Sequence, residues 1–122
     1  ERSMKKRFYI STPIYYPSAK LHIGHAYCTV MADVFARYKR MRGFECFFLT
    51  GADEHGQKIE RNAGIANKTP QEFVDGIVEG FYKLWDLLEV SNNDFIRTTQ
   101  ERHWKRVQEI FTKLLEYEYR RN

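Results

Sequence analysis

Cysteine is scarce in this sequence, and the two present, Cys28 and Cys46, lie inside apolar stretches without metal-type spacing to each other or to a histidine pair. A disulfide framework and a zinc knuckle are therefore disfavoured, and both cysteines read as buried free thiols. Long apolar runs are missing too: none approaches the ~18 residues that a membrane-spanning helix requires. No basic-then-apolar leader with a small-residue cleavage site opens the chain, so no membrane association or secretion is expected and a cytoplasmic address is. Repeats, low-complexity tracts and linker-like stretches are likewise lacking, which leaves one α/β domain as the economical reading. Glu1-Arg2-Ser3 ahead of Met4 reads as the remnant of an expression tag, leaving residues 4–122 for the fold.

What remains is an ordinary globular composition, with 43% apolar, 16% aromatic and 30% charged residues in a chain of 122. A chain this short buries roughly two-thirds of its extended surface, enough for one core but little for an enzyme that must also wrap a large substrate. Twenty Lys plus Arg against sixteen Asp plus Glu give a formal +4, which permits an anionic partner without demanding one. Positive charge gathers at Lys5-Lys6-Arg7, at Arg37-Lys39-Arg40-Arg42 and at Arg102-Lys105-Arg106; such clusters are solvated faces more often than phosphate contacts.

Phe8 to Thr12 is aromatic and β-branched and is stopped by Pro13, which cannot donate to a central ladder, so a first strand is expected there. From Ile23 onward apolar side chains fall at Ala26, Tyr27, Val30, Met31, Val34, Phe35, Tyr38 and Met41, the periodicity of an amphipathic helix, with a basic last turn and Gly43 at its end. Phe44 to Leu49 reads as a second strand covered on both faces, running out at Thr50-Gly51. A strand–helix–strand unit must pair its strands in parallel, with a right-handed crossover. The loops after both strands, residues 13–22 and 50–56, then emerge on the carboxyl edge of the sheet, where open α/β sheets hold their ligands. Further on, Gln57 to Ala66 is weakly helical with a break near Gly64. Thr69-Pro70-Gln71-Glu72 opens a strong helix with a capping box and proline at its first position, Phe95-Ile96-Arg97 forms a short strand, and a last helix follows a second box at Thr98 to Glu101.

Two stretches can carry chemistry. His22-Ile23-Gly24-His25 puts two histidines at the amino end of the long helix, where free N–H groups and the helix dipole favour an anion, imidazole can donate to a phosphate oxygen, and glycine lets a flat ring approach the backbone. The competing reading makes His22 a cap and His25 a satisfied buried histidine. The pair also fits half of a metal site, for which the only further candidates, His55 and Asp53, come from the other loop. That second stretch, Thr50 to Lys58, sets Asp53, Glu54 and His55 after the second strand. A carboxylate there can hold an ammonium group, coordinate magnesium, act as a base or simply cap the next helix.

Taken together, Pro13-Ile14-Tyr15-Tyr16, His22-Ile23-Gly24-His25 and Asp53-Glu54-His55-Gly56-Gln57-Lys58 resemble the methionyl-tRNA synthetases among the class I aminoacyl-tRNA synthetases. The tetrapeptide is similar to that of the whole class, and the acidic segment to that of the methionine enzymes. Ser91 to Thr99 and Glu101-Arg102-His103 carry the likeness on, so that it spans about Phe8 to Leu115. The resemblance implies a Rossmann-like nucleotide-binding α/β fold with a parallel sheet, part of a catalytic domain ending near the start of a connective insertion. It implies that His22 and His25 are catalytic and, with Gly24, bind ATP, and that Ile14, Tyr16 and Asp53 bind methionine, Asp53 through its ammonium group. Pro13, Tyr15, Pro17 and His55 would flank that pocket.

The implied reaction joins L-methionine and ATP to methionyl-adenylate and then transfers the methionyl group to tRNA(Met), with Mg²⁺ carried by the nucleotide and no protein metal, zinc included, in this segment. The family's second signature, a lysine-serine-lysine loop, is lacking here, as are the rest of its aromatic pocket and its anticodon-binding region. The expectation is thus a fragment inactive by itself. A non-catalytic nucleotide- or tRNA-binding module using Arg37, Arg40 and Arg42, and a related nucleotidyltransferase outside translation, are the alternatives.

Overall fold

The computed structural model describes residues 6–17 and 21–121, without the side chains of 119–121; the tag-like residues 1–3 and Ser18-Ala19-Lys20 of the first loop lie outside it. Seven elements follow in the order β1 (Arg7–Ser11), α1 (Ile23–Met41), β2 (Glu45–Ala52), α2 (Gln57–Ile65), α3 (Pro70–Leu87), β3 (Asp94–Arg97) and α4 (Glu101–Arg121). The three strands form one sheet in the order β1-β2-β3, with both neighbouring pairs parallel. Arg7 stands opposite Glu45 and Ser11 opposite Leu49, while Leu49 to Ala52 pair with Asp94 to Arg97. The expected parallel arrangement is present, and no break interrupts α2 at Gly64.

Local sequence explains most boundaries. Thr69 accepts from the Glu72 N–H while the Glu72 carboxylate accepts from the Thr69 N–H, with Pro70 at the first helical position, so α3 starts on a reciprocal box. After α1, Gly43 takes φ +81, a left-handed conformation that a side chain resists. Gly51 meets a different demand, close approach: a Cβ there would sit 2.2 Å from the Ile96 carbonyl oxygen, so β2 and β3 come together only because position 51 is bare.

Both core clusters involve the same face of the sheet. Phe48 packs with Ala32 and Ala36 of α1, and Ala52 and Phe95 with Tyr15 and with Val78, Phe81 and Trp85 of α3. The opposite face is open: Tyr9 and Phe47 stack at 6.2 Å between ring centroids yet stay 60% and 45% exposed. The expectation that β2 is covered on both faces is therefore corrected over its first half, where Phe47 is left exposed. The two thiols are half-buried rather than buried, and free.

The helix of 19 residues forms where its periodicity puts it, but it is turned around. Its buried residues are Thr29, Ala32, Asp33 and Ala36, whereas Tyr27, Val34 and Phe35 are 69%, 59% and 52% exposed. Small side chains let the helix lie close on Phe48. Asp33 locks it there, accepting from the Ser91 N–H at 2.8 Å, from the Ser91 hydroxyl and from Arg37 Nε at 2.7 Å. Burial pushes the Asp33 carboxyl up, but these donors outweigh it and hold the group below its ordinary range. In α4 the apolar residues Ile110, Phe111 and Leu114 are likewise exposed.

Gly51→Ala is expected to destabilise the protein by about 3 kcal/mol, because the new methyl meets backbone and cannot rotate away. Urea unfolding checks this, and an unchanged midpoint contradicts it.

Candidate active site

The first loop and the acidic turn meet because the β1–β2 ladder continues past the strands. The Tyr15 N–H donates to the Gly51 carbonyl at 2.9 Å and the Asp53 N–H to the Tyr15 carbonyl at 2.9 Å, an isolated parallel bridge between Tyr15 and Ala52. Tyr15 itself is core: its ring stacks on Phe81 at 5.8 Å and its hydroxyl pairs with that of Thr29 at 2.8 Å. Burial pushes its phenol pKa up. Its ring also meets His25 edge-on at 5.2 Å, backing the imidazole from below the loop. Pro17 is buried, Tyr16 half-buried, and Pro13 and Ile14 are exposed.

Across from them, Gly56 takes φ +140, and a Cβ on it would lie 2.4 Å from the Tyr16 hydroxyl. Tyr16 thus reaches over the acidic turn at the one position where the turn is bare. Asp53 is half-buried, and no side chain among the described residues bonds its carboxylate. Its neighbour is the opposite case. Glu54 is wholly buried and paired with Arg97 at 2.7 Å; removing one member of such a pair typically costs about 3–5 kcal/mol. His55 is exposed, with Nε2 3.4 Å from the Thr98 carbonyl.

The histidines at the start of α1 form a capping box of their own. Gly24 N–H donates to His22 Nδ1 at 3.1 Å and His22 N–H to His25 Nδ1 at 3.1 Å, with the rings 4.1 Å apart. Each Nδ1 therefore presents a lone pair, and the proton of each neutral ring sits on Nε2. Capping and anion binding are not rival roles here, since the same bond that caps the helix prepares Nε2–H as a donor. Burial, and then the charge of His22, push the His25 pKa below its ordinary value.

A cavity of about 350 Å³ borders the acidic turn, lined among others by Glu54, Ile59, Thr69 and Val74, and by none of the described residues of the first loop. Among the described residues no three His, Cys, Asp or Glu side chains group as metal ligands. The arginine cluster on α1 is engaged with protein: Arg37 holds Asp33 and the Glu89 carbonyl, Arg40 holds Ser91 and Asn93, and Arg42 donates to the Tyr38 hydroxyl. Sequence reasoning missed Arg97, Thr98 and Thr99 as partners of the acidic turn. Their signal was their position at and just past the carboxyl end of the third strand, on the edge where the other two loops emerge.

A family model described as tRNA synthetases class I (M) matches residues 8–121. The chain belongs to the class I tRNA synthetases of the methionine type. The match runs past Leu115, where the likeness read from the sequence stops, through the whole of α4. The methionine–tRNA ligase of Oceanobacillus iheyensis is 62% identical over 109 residues, 89% of this chain and 16% of its own length. That of Listeria monocytogenes serovar 1/2a is 61% identical over 112 residues, 92% of this chain and 17% of its own. The chain thus spans under a fifth of the length of these family members. Among solved structures, Mycobacterium tuberculosis methionyl-tRNA synthetase bound by methionyl-adenylate is similar at 38% identity and a TM-score of 0.76, over 79% of this chain and 19% of that one. A LeuRS of Agrobacterium radiobacter K84, in ternary complex with tRNA and LeuAMS, matches at 24% identity and a TM-score of 0.84 over 95% of this chain and 15% of that one, a likeness of fold. The fold is the α/β, Rossmann-like one of the class.

Two outcomes follow from the geometry. Because His25 resists protonation when folded, its cap contributes fully above the unfolded pKa near 6.5 and is lost as pH falls through the lower folded value. A histidine NMR titration should put the His25 midpoint below 6.5; a midpoint at or above it contradicts the cap. Gly56→Ala should lower stability by about 2 kcal/mol, through strain and the Tyr16 clash, and adding Tyr16→Phe should restore part of the thermal midpoint. Strictly additive losses would contradict the contact.

Proposed function

We propose that the protein to which this chain belongs is a methionine–tRNA ligase, activating L-methionine with ATP and transferring the methionyl group to tRNA(Met). The observation that carries this reading is the meeting of two loops at the carboxyl edge of a parallel sheet. One ends in a pair of Nε2–H donors at a helix N-terminus, and the other bears a carboxylate that no side chain among the described residues bonds. A triphosphate suits the first, where helix dipole and imidazole donors converge. A free amino acid suits the second, because its ammonium group needs a counter-charge once water is excluded. The methionyl-adenylate bound by the Mycobacterium tuberculosis relative agrees with both.

In this reading His22, Gly24 and His25 bind ATP. The histidines stabilise charge developing on the phosphates as the methionine carboxylate attacks the α-phosphorus in line and pyrophosphate leaves. The carboxylate is already ionised and requires no general base. Asp53 holds the ammonium group, Ile14 and Tyr16 line the thioether, whose polarizable chain suits an apolar and aromatic wall, and Pro13, Tyr15, Pro17 and His55 flank it. Mg²⁺ enters with the nucleotide. Acyl transfer to the terminal ribose of tRNA completes the reaction. The engaged guanidinium groups of Arg37 and Arg40 weigh against the alternative of a basic helix face that grips nucleic acid.

In the full-length protein, Asp53→Ala should reduce methionine-dependent pyrophosphate exchange about a hundredfold, the scale of losing one partner of a desolvated charge pair, while ATP binding by calorimetry persists. Unimpaired exchange would overturn the assignment.

A further inference from the structure

Glu54 stands beside the carboxylate assigned to substrate, yet its side chain has no exposed surface. Arg97 Nε donates to Oε1 at 2.8 Å, and the Thr99 hydroxyl donates to Oε2. The remaining nitrogen of the fork, Nη2, lies 2.7 Å from the same Glu54 oxygen and also bonds Asp75 on α3, which Gln71 holds from one turn earlier. The Glu54 backbone N–H donates to Thr98 Oγ1 at 2.8 Å. Arg97 is thus enclosed by two carboxylates, its side chain 17% exposed, and both Glu54 oxygens are engaged. The Glu54 carboxylate is thus not available to a ligand.

Their placement matters for what lies next to them. Successive amides of the acidic turn point their bonds to opposite neighbours: Asp53 N–H to Tyr15 on the β1 side, Glu54 N–H to Thr98 on the β3 side. After residue 54 the chain leaves the sheet through the left-handed Gly56. The Glu54 side chain therefore ties the turn to the end of β3 and, through Arg97, to α3.

We infer that Glu54, Arg97 and Asp75 form a positioning clamp for the methionine site, holding the acidic turn so that the Asp53 carboxylate meets the substrate ammonium in one place. This rests on the reading of Asp53 given above. Glu54 and Arg97 are positioning residues, acting on methionine through Asp53, whereas the ATP-binding histidines are held by the separate box at the start of α1. The clamp therefore affects one substrate and not the other, which a purely structural ion pair would not do.

The test measures pyrophosphate exchange in the full-length protein, with KM for methionine and for ATP determined separately, alongside thermal midpoints. Glu54→Gln should raise the methionine KM about tenfold, as expected for losing a charged hydrogen bond, and leave the ATP KM within about twofold. Arg97→Lys, which keeps the charge but loses the fork, should move the same parameter in the same direction by less. If Glu54→Gln does not fold, Asp75→Asn at the half-exposed outer end decides: a raised methionine KM supports the clamp, and an unchanged one overturns it. A lowered midpoint with both KM values unchanged, or with both raised together, also overturns it. Asp53→Asn in parallel separates the two readings. A silent Asp53→Asn sinks the ammonium assignment and the clamp with it, whereas an effective Asp53→Asn beside silent Glu54→Gln and Asp75→Asn sinks the clamp alone.

Discussion

Three backbone contacts, Tyr15 to Gly51, Asp53 to Tyr15 and Thr98 to Ala52, extend the parallel ladder beyond the strands proper, and the site depends on them. Parallel pairing sends every following loop to the same edge, but pairing alone leaves those loops free to diverge. Here they remain hydrogen-bonded for a further residue or two, so that the first loop, the acidic turn and the residues after β3 stay side by side. The buried ring of Tyr15 anchors the arrangement, since it is both a ladder residue and the support under His25. A helix start that favours anions and a turn that favours cations become neighbours as a result.

The division of labour between adjacent residues repeats along this edge. Tyr15 is core while Tyr16 reaches across to Gly56; Glu54 is consumed by Arg97 while no side chain among the described residues bonds the Asp53 carboxylate. In each pair one residue holds the backbone and its neighbour is the one that the proposed reading gives to the ligand. The histidines compress the same logic into single side chains, with Nδ1 accepting from the helix and Nε2 left as a donor. Rigid placement of this kind is what phosphoryl chemistry asks of a protein, because positioning and fixed charge supply most of its acceleration.

Much of this was legible in the sequence. The β1–α1–β2 unit, the proline stop at Pro13, the box at Thr69 and the parallel edge all followed from period, caps and connection rules, and the signature residues named the family. The direction in which α1 faces did not follow. Its apolar stripe obeys helical spacing, yet the sheet takes the small face of Ala32 and Ala36, because close approach to Phe48 and the Asp33–Ser91 lock outweigh side-chain size. An exposed apolar face this wide is uncommon on a free-standing domain, and this chain corresponds to 16% of the length of its Oceanobacillus relative. Glu54 was equally hidden. Spacing cannot distinguish a carboxylate that meets substrate from one that meets an arginine more than 40 residues away in sequence, and only the packing of β3 beside β2 decides between them.

The central claim is that one crevice holds an amino acid and a triphosphate between the two loops. Its most direct test is a crystal structure of the full-length protein with methionine and a non-hydrolysable ATP analogue. The methionine ammonium is expected within hydrogen-bond distance of the Asp53 carboxylate, and the phosphates against Nε2 of His22 and His25. Methionine seated away from Asp53, or phosphates away from the start of α1, would contradict it.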